Sequence, residues 1–282
     1  MKTNFLSLLS MCLLLWSCGG NSDKQEAKGL DSITPIVDST QAPVDEFTDF
    51  KFQYYISNIP SPFETMKELS KAEFPYKADL VNKTENEKKY LTTVKKALNY
   101  GVYGVDLAYM ANSGKFQDAP KYFETVHRLA SSLDAASSFD KVVGKRMDKN
   151  WENKDTITHI MDQAFTETDK YLKNGERQLA AVAILAGAWI ESQHIIFNLV
   201  KNEDKNEKNQ FLVTNIWEVR FHVNSLSDLL NGFSDPEIKP LAGKMSSLNE
   251  DFKKIKTEQD LTKEKISELA GKISNMRSMI VS

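Results

Sequence analysis

Apolar residues recur at helical spacing along most of the chain, and no strand-like alternation of any length follows residue 60. The pattern predicts an all-α protein, a multi-helix bundle of about eight or nine helices. The predicted helices cover roughly 62–72, 84–112, 119–133, 139–151, 155–174 and 178–201, followed by three more after residue 209. Ser61, Asp155 and Asp260 are expected to cap the helices that they precede, and the pair Asp235-Pro236 to start another.

The most apolar segment after the N-terminal region runs from Gln178 to Lys201 and is apolar on opposite faces, which is typical of a buried helix. One face carries only small residues from Ala180 to Gly187, so a neighbouring backbone can approach it closely. We expect Gly101 and Gly104, on the predicted helix 84–112, to lie against that face. Glu191 interrupts the apolar run, which makes it too short to cross a membrane.

The last three helices carry strict heptad seams, with apolar residues alternately three and four positions apart. The seams run from Leu212 to Phe233, from Ile238 to Ile255 and from Ile266 to Ile280. We expect residues 51–282 to form a single helical domain in which these helices pack against the segment 178–201. A sub-boundary at the polar loop 202–209, with a separate C-terminal bundle, is the alternative.

The N-terminus predicts export and lipidation. Lys2 precedes an apolar run from Phe5 to Trp16 that is too short to span a bilayer, and Leu15-Trp16-Ser17-Cys18 then resembles a bacterial lipobox. This resemblance implies a signal peptide at 1–17, a lipid on Cys18, and an outer-membrane lipoprotein facing the periplasm or exposed at the cell surface. Residues 18–50, rich in acidic residues, predict a flexible tether that spans about 30 Å.

Composition narrows the chemistry further. The two cysteines are Cys12 and Cys18, so the helical domain has neither a disulfide nor a thiolate ligand. There are 36 basic and 39 acidic residues without a basic stripe, which argues against nucleic acid as a partner. We find no glycine-rich phosphate loop, nucleophile elbow or zinc motif, and predict neither a cofactor nor a metal.

The main enzymatic alternative is a ferritin-like di-metal carboxylate site, because Glu-x-x-His occurs twice on predicted helices. The residues of this hypothesis are Glu124, His127, Glu191, His194, Asp106 and Asp162 or Glu167. Helical geometry places His127 and Glu124 on the side opposite the core of their helix, so at least one motif points to solvent.

Four residues are the candidate binding site: Asp106, Tyr103, Glu191 and His194. Asp106 lies deep in an apolar helix and needs a partner or a proton; we expect a tyrosine hydroxyl, or Arg128, Arg177 or Arg220. Glu191 and His194 either are half-exposed and hydrogen-bonded to each other, or line a pocket where two helices diverge after Gly187.

The runs Leu98–Tyr109 and Ala186–Glu191 resemble segments of helical lipoproteins from Gram-negative bacteria, over roughly residues 60–200. That resemblance implies no activity. The sequence therefore predicts a lipid-anchored, extracytoplasmic binding or interaction module for a small-molecule or protein ligand, with the membrane as a partner through the lipid. Membrane-proximal scaffolding through the C-terminal heptads is a further alternative.

Overall fold

A computed structural model describes residues 54, 55, 57–143, 146, 147, 149–175, 177–204, 206 and 209–282. From residue 62 onward these residues form nine α-helices and contain no strand, which confirms the predicted all-α multi-helix bundle. The helices are α1 (Pro62–Leu69), α2 (Thr93–Asn112), α3 (Ala119–Ser132), α4 (Ala136–Val143), α5 (Lys154–Asn174), α6 (Gln178–Val200), α7 (Gln210–Asn231), α8 (Lys239–Lys254) and α9 (Lys263–Val281). Short 3₁₀ helices cover Ser70–Ala72, Thr84–Lys89 and Glu258–Asp260.

The predicted signal peptide (1–17), Cys18 and the predicted tether (18–50) lie outside the described residues. All described residues belong to one compact unit.

The two buried helices α2 and α6 pack directly against each other through glycines. A methyl group at Gly101 would collide with the carbonyl of Ile184 and lie 2.6 Å from the amide nitrogen of Ala188, while one at Gly187 would collide with the carbonyl of Leu98. The predicted close approach is therefore correct for Gly101. It is wrong for Gly104, whose missing side chain makes room for the ring of Phe165 on α5.

The predicted helix 84–112 is two elements rather than one. Residues Thr84–Lys89 form a 3₁₀ helix, Tyr90 is extended, and Thr92 starts α2 with its hydroxyl accepting a hydrogen bond from the Lys95 amide at 3.2 Å. The break lets the polar side chains before α2 turn toward the end of α9, as described below.

Three other predicted boundaries shift. Asn153 rather than Asp155 caps α5, and Thr262 rather than Asp260 caps α9, while Asp260 closes a capping box with Thr257 one turn earlier. Helix α4 ends at Val143, short of the predicted 151. A cap is decided by which side chain reaches a free amide, and neighbouring Asn, Asp and Thr residues are equivalent candidates in sequence.

The heptad seams of α7, α8 and α9 are buried almost throughout. Helix α7 packs mainly on α8, whereas α9 packs mainly on α6 and also contacts α2. The last helix therefore belongs to the same core as α2 and α6, and it brings its polar residues to them.

The C-terminal carbonyls of α9 are bound by side chains from α2 and the segment before it. The Asn99 amide donates to the carbonyl of Ile280 at 3.0 Å, the Tyr90 hydroxyl to that of Val281 at 3.3 Å, and the Lys95 ammonium to that of Met279. The final carbonyls of a helix have no partner within the helix, and a cation near them is favourable. These contacts fix the end of α9.

Helix α6 corrects one expectation about the membrane. Taken whole, it is long and apolar enough to cross a bilayer in spite of Glu191, but 89% of its most apolar window is buried inside the protein. Its apolarity is accounted for by its position as the central helix of the core.

Candidate functional site

Two carboxyl groups meet inside the bundle where α2 and α6 pack together. Asp106 lies five residues after Gly101 on α2, Glu191 lies four residues after Gly187 on α6, and neither side chain reaches solvent. The segment before α2 contributes Asn82, which is also buried. We call Asp106, Glu191, Arg277 and Asn82 the carboxyl–arginine cluster.

Arg277 of α9 binds Glu191 through a two-pronged ion pair. Its Nε lies 2.8 Å from Oε2 and 3.1 Å from Oε1 of Glu191, and its Nη2 lies 2.9 Å from Oε1. The same Nη2 donates to the carbonyl of Leu80 at 3.1 Å. The geometry is the bidentate one that makes arginine–carboxylate pairs strong, and it satisfies both carboxylate oxygens.

Asp106 is bound less completely. Its Oδ2 accepts a hydrogen bond from the backbone amide of Asn82 at 2.9 Å, while Oδ1 receives none from the described residues. Burial, and then the charge of Glu191, raise the pKa of Asp106 well above its ordinary value, with Arg277 opposing them. A protonated Asp106 also gives Oδ1 a role, because it then donates a hydrogen bond toward Glu191.

Burial also raises the pKa of Glu191, while the charge and hydrogen bonds of Arg277 oppose it. Because an arginine stays protonated and contacts only one of the two acids directly, we assign the carboxylate to Glu191 and the proton to Asp106. The cluster is then electrically neutral, which a water-free interior requires.

Tyr103 lies beside the cluster rather than in it. Its hydroxyl donates to the carbonyl of Lys83 at 2.8 Å, and burial raises the pKa of Tyr103 far above its ordinary value. Next to it, the side-chain amide of Asn82 donates to the Tyr90 hydroxyl at 2.9 Å. Both tyrosines are therefore neutral donors and acceptors that hold the segment 82–90 in place.

The expectation for His194 is wrong in its partner and its exposure. The residue is 8% exposed, and its Nδ1 lies 3.0 Å from the hydroxyl of Ser274 on α9 and 3.2 Å from the amide of Asn198. Glu191 is fully buried and is bound by Arg277 instead. Burial, assisted by the charge of Arg277, lowers the pKa of His194 to about 3, so the ring is neutral at physiological pH.

The structure thus brings Asp106 and Glu191 together, with Tyr103 at the edge and His194 one helical turn away. It does not leave a gap between the two acids and α9, because the guanidinium of Arg277 lies there. Asp106 and Glu191 are fully buried and the Arg277 side chain is 14% exposed, so the cluster acts as a tie between α2, α6 and α9.

Arg277 and Asn82 were missed by sequence reasoning, which named Arg128, Arg177 or Arg220 as partners of Asp106. A signal was present: Arg277 follows Ile273 by four residues and precedes Ile280 by three, so it shares the face of the heptad seam. A lone arginine on an apolar helix face indicates a buried partner. Asn82 acts through its backbone amide on Asp106, which leaves no sequence signal.

The residues of the di-metal hypothesis do not assemble in the described structure. The Glu124 side chain is 70% exposed, and His127 pairs with Asp140 on the surface at 3.0 Å, whereas Glu191 and His194 are in the core. Within the described ranges, no group of three or more His, Cys, Asp or Glu side chains could hold a metal ion.

A surface cleft of about 360 Å³ lies between α3 and α4. It is lined by Phe123, Glu124, His127, Arg128, Asp140 and Val143. Phe123 is partly buried, and its ring makes edge contact with Trp151 at a centroid distance of 5.4 Å. Arg128 is bound by Glu87 at 2.6–3.0 Å, so its charge is already neutralised.

No protein-family model, no curated protein and no solved structure matches the chain. The fold and site define an all-α bundle that holds a carboxyl–arginine cluster between three of its helices. A function must therefore be inferred from the residues of this chain alone.

Proposed function

We propose that the protein is an extracytoplasmic lipoprotein, anchored through Cys18 in the outer membrane and facing the periplasm or the cell surface. Its helical domain works as a binding module. The observation that carries the binding role is the α3–α4 cleft, which joins an aromatic floor to acidic walls at the protein surface.

The composition of this cleft favours a small organic cation with an apolar part. Glu124 and Asp140 are exposed carboxylates at its walls; Asp140 pairs with His127, and Glu124 lies 3.7 Å from Arg128, whose closer partner is Glu87. Phe123 also lines the cleft, and cations bind to aromatic rings as well as to carboxylates. The volume of about 360 Å³ falls in the range of small-molecule sites.

The buried cluster supports this assignment by exclusion. Asp106 and Glu191 are occupied by Asn82 and Arg277, so the residues that sequence analysis placed in a pocket are engaged with the protein itself. The alternatives gain no support: the described residues form no di-metal group, and the heptad seams that would serve scaffolding are buried within the chain.

Two measurements test the binding role. Native mass spectrometry of the purified full chain would reveal a retained small molecule, and thermal melting with a panel of organic amines and matched carboxylic acids would reveal its charge. We expect amines alone to raise the melting temperature, and Asp140→Asn together with Glu124→Gln to abolish the shift. Glu250→Gln, an exposed glutamate on α8, is the matched control and should leave it intact.

Stabilisation by acids, or by neither class, would overturn the assignment of the cleft. The anchor is tested separately. Cys18→Ser should leave the leader uncleaved and remove the lipid mass from the protein, and a lipid-free mature wild type would contradict the proposal.

A further inference from the structure

Two aromatic rings and one arginine cluster on the outer side of α7, where Phe221 is exposed and Trp217 and Arg220 are partly buried. The guanidinium carbon of Arg220 lies 3.5 Å from the ring centre of Trp217 and 4.1 Å from that of Phe221, so the guanidinium contacts both rings. Phe221 is 58% exposed and is one of four large hydrophobic residues that the described structure leaves exposed. We call Trp217, Arg220 and Phe221 the α7 patch.

The charge of Arg220 has no counterpart within the described structure. Its Nη1 donates to the carbonyl of Trp217, and no described carboxylate lies within ion-pair distance. By contrast, Arg128, Arg177 and Arg277 each have an acidic partner. A guanidinium held on aromatic faces keeps free donors, and these suit a phosphate or carboxylate from outside the domain.

The patch shares its face of α7 with Asp228. Phe221 and Asp228 are seven residues apart, so they share one helix face at a separation of about 10 Å. The charge of Asp228 raises the pKa of Tyr55, which places the two side chains close together, and the neighbouring Tyr54 is 59% exposed.

We propose that the α7 patch contacts the surface of the lipid membrane, with Phe221 and Trp217 entering the interfacial region and Arg220 binding a lipid phosphate. The inference rests on the lipid anchor of the proposed function. Aromatic side chains collect at membrane interfaces, and arginine binds phosphate through paired hydrogen bonds. A bilayer offers both chemistries at the depth of one headgroup layer.

Because the domain is tethered to the membrane, a weak contact between the α7 patch and the bilayer is enough to orient it. The predicted tether, residues 18–50, would span about 30 Å root-mean-square as a flexible coil. Contact with the membrane then becomes an intramolecular event at a high effective concentration. One phenylalanine, one tryptophan and one arginine therefore need to supply only a small affinity to orient the domain.

The experiment uses the full-length lipidated protein in vesicles of phosphatidylethanolamine and phosphatidylglycerol with a brominated acyl chain near the headgroup. We expect bromine to quench the Trp217 fluorescence, and Trp217→Phe to remove the quenched component, because Trp189 is buried in the core and Trp151 packs against it away from α7 beside Phe123 of α3. Phe221→Ser should weaken the contact about tenfold, since it removes roughly half of a large apolar side chain from the interface. Arg220→Gln should weaken it as well.

The matched control is Tyr171→Ser, which alters an exposed tyrosine on α5 that also contacts an arginine, Arg177, but one with an acidic partner. It should leave quenching unchanged. Flotation of the protein with the vesicles reports the lipid anchor separately. Floating protein without Trp217 quenching, or equal losses in Tyr171→Ser and Phe221→Ser, would overturn the patch proposal while leaving the anchor intact. A detergent-stable dimer that Phe221→Ser dissociates would assign the patch to a second copy instead.

Discussion

The chain contains the pattern Glu-x-x-His twice on helices, and the two copies have opposite surroundings. In α3 the Glu124 and His127 side chains are 70% and 39% exposed, and each pairs with a neighbour on the surface. In α6 Glu191 is fully buried and His194 is 8% exposed. Each copy also has an arginine, Arg128 near the first and Arg277 at the second.

The difference teaches that the surroundings, rather than the residue pattern, decide what these side chains can do. On the surface, water screens the charges and the groups remain available to a ligand. In the core the same acid must be neutralised by Arg277, and the same imidazole must stay neutral. The exposed copy is suited to binding and the buried copy to joining helices.

The largest effect on stability is expected from removing Arg277, the partner of the buried Glu191. Arg277→Ala leaves Glu191 without its partner in the core, and we expect a loss of about 3–5 kcal/mol in the free energy of unfolding. Arg128→Ala, at the exposed copy, should cost less than about 1 kcal/mol. Urea titration of both variants at neutral pH measures the contrast, with Arg277→Lys as a partial rescue. Equal losses would erase the distinction between the two copies.

A second large effect is expected where the backbone supports the buried copy. Gly187→Ala places a methyl group against the carbonyl of Leu98, so α2 and α6 must separate, at a cost of about 3 kcal/mol. Gly243→Ala in α8 meets no atom within 4 Å and should instead stabilise the protein by up to about 1 kcal/mol. Thermal unfolding of the two variants gives the comparison. An unchanged melting temperature for Gly187→Ala would contradict the close helix contact.

Raising the pH should change the stability of the protein through the buried Asp106 but not through the exposed Asp140. Because the pKa of Asp106 is raised in the folded state, its contribution to stability is fully present below the unfolded pKa and is lost as pH rises through the folded value. Between the unfolded and the folded pKa the loss is about 1.4 kcal/mol per pH unit, and above the folded pKa the ionisation of Asp106 no longer changes stability. Asp106→Asn keeps the acceptor for the Asn82 amide and should flatten this slope. Asp140→Asn, at a 56% exposed carboxylate, should leave the slope as in the wild type.

Acid pH should separate the two histidines, with the smallest effect of the four. The pKa of His194 is lowered to about 3, so the folded state resists a proton that the unfolded chain accepts below about 6.5. Stability should therefore fall by about 1–2 kcal/mol between pH 7 and pH 5. His194→Gln should remove that loss, and His127→Gln should not. Denaturation curves of both variants at pH 7 and pH 5 measure the difference. An identical loss of stability at pH 5 in the two variants would contradict the lowered pKa of His194.

Much of the interior could be predicted from the sequence. Gly101 and Gly187 mark the contact of α2 and α6, and Asp106 is correctly singled out as a buried acid, whereas Glu191, expected to be half-exposed or to line a pocket, is fully buried. The reason is local: small residues and isolated charges within apolar helices have few physical explanations. Helical periodicity alone then shows which face of each helix is buried.

The partners of these residues could not be predicted in the same way. Arg277 lies 86 residues from Glu191, and Ser274 lies 80 residues from His194. Their meeting depends on α9 packing on α6 rather than only on α7 and α8, which a heptad seam does not specify. The sequence also predicted one continuous helix through Tyr90. In the structure the 3₁₀ helix ends before Tyr90, whose hydroxyl donates to the carbonyl of Val281, and local propensity does not show such a tertiary contact.

The capture of the last helical turn has a consequence for how the protein is made. Lys95, Asn99 and Tyr90 bind carbonyls of residues 279–281, and Arg277 neutralises Glu191. Without those contacts Glu191 would be a buried acid with no cationic partner at the junction of α2 and α6. We therefore expect the α2–α6 core to close only after α9 is in place. For a chain that we propose is exported, such a late closing step would favour a precursor that crosses the membrane before it folds.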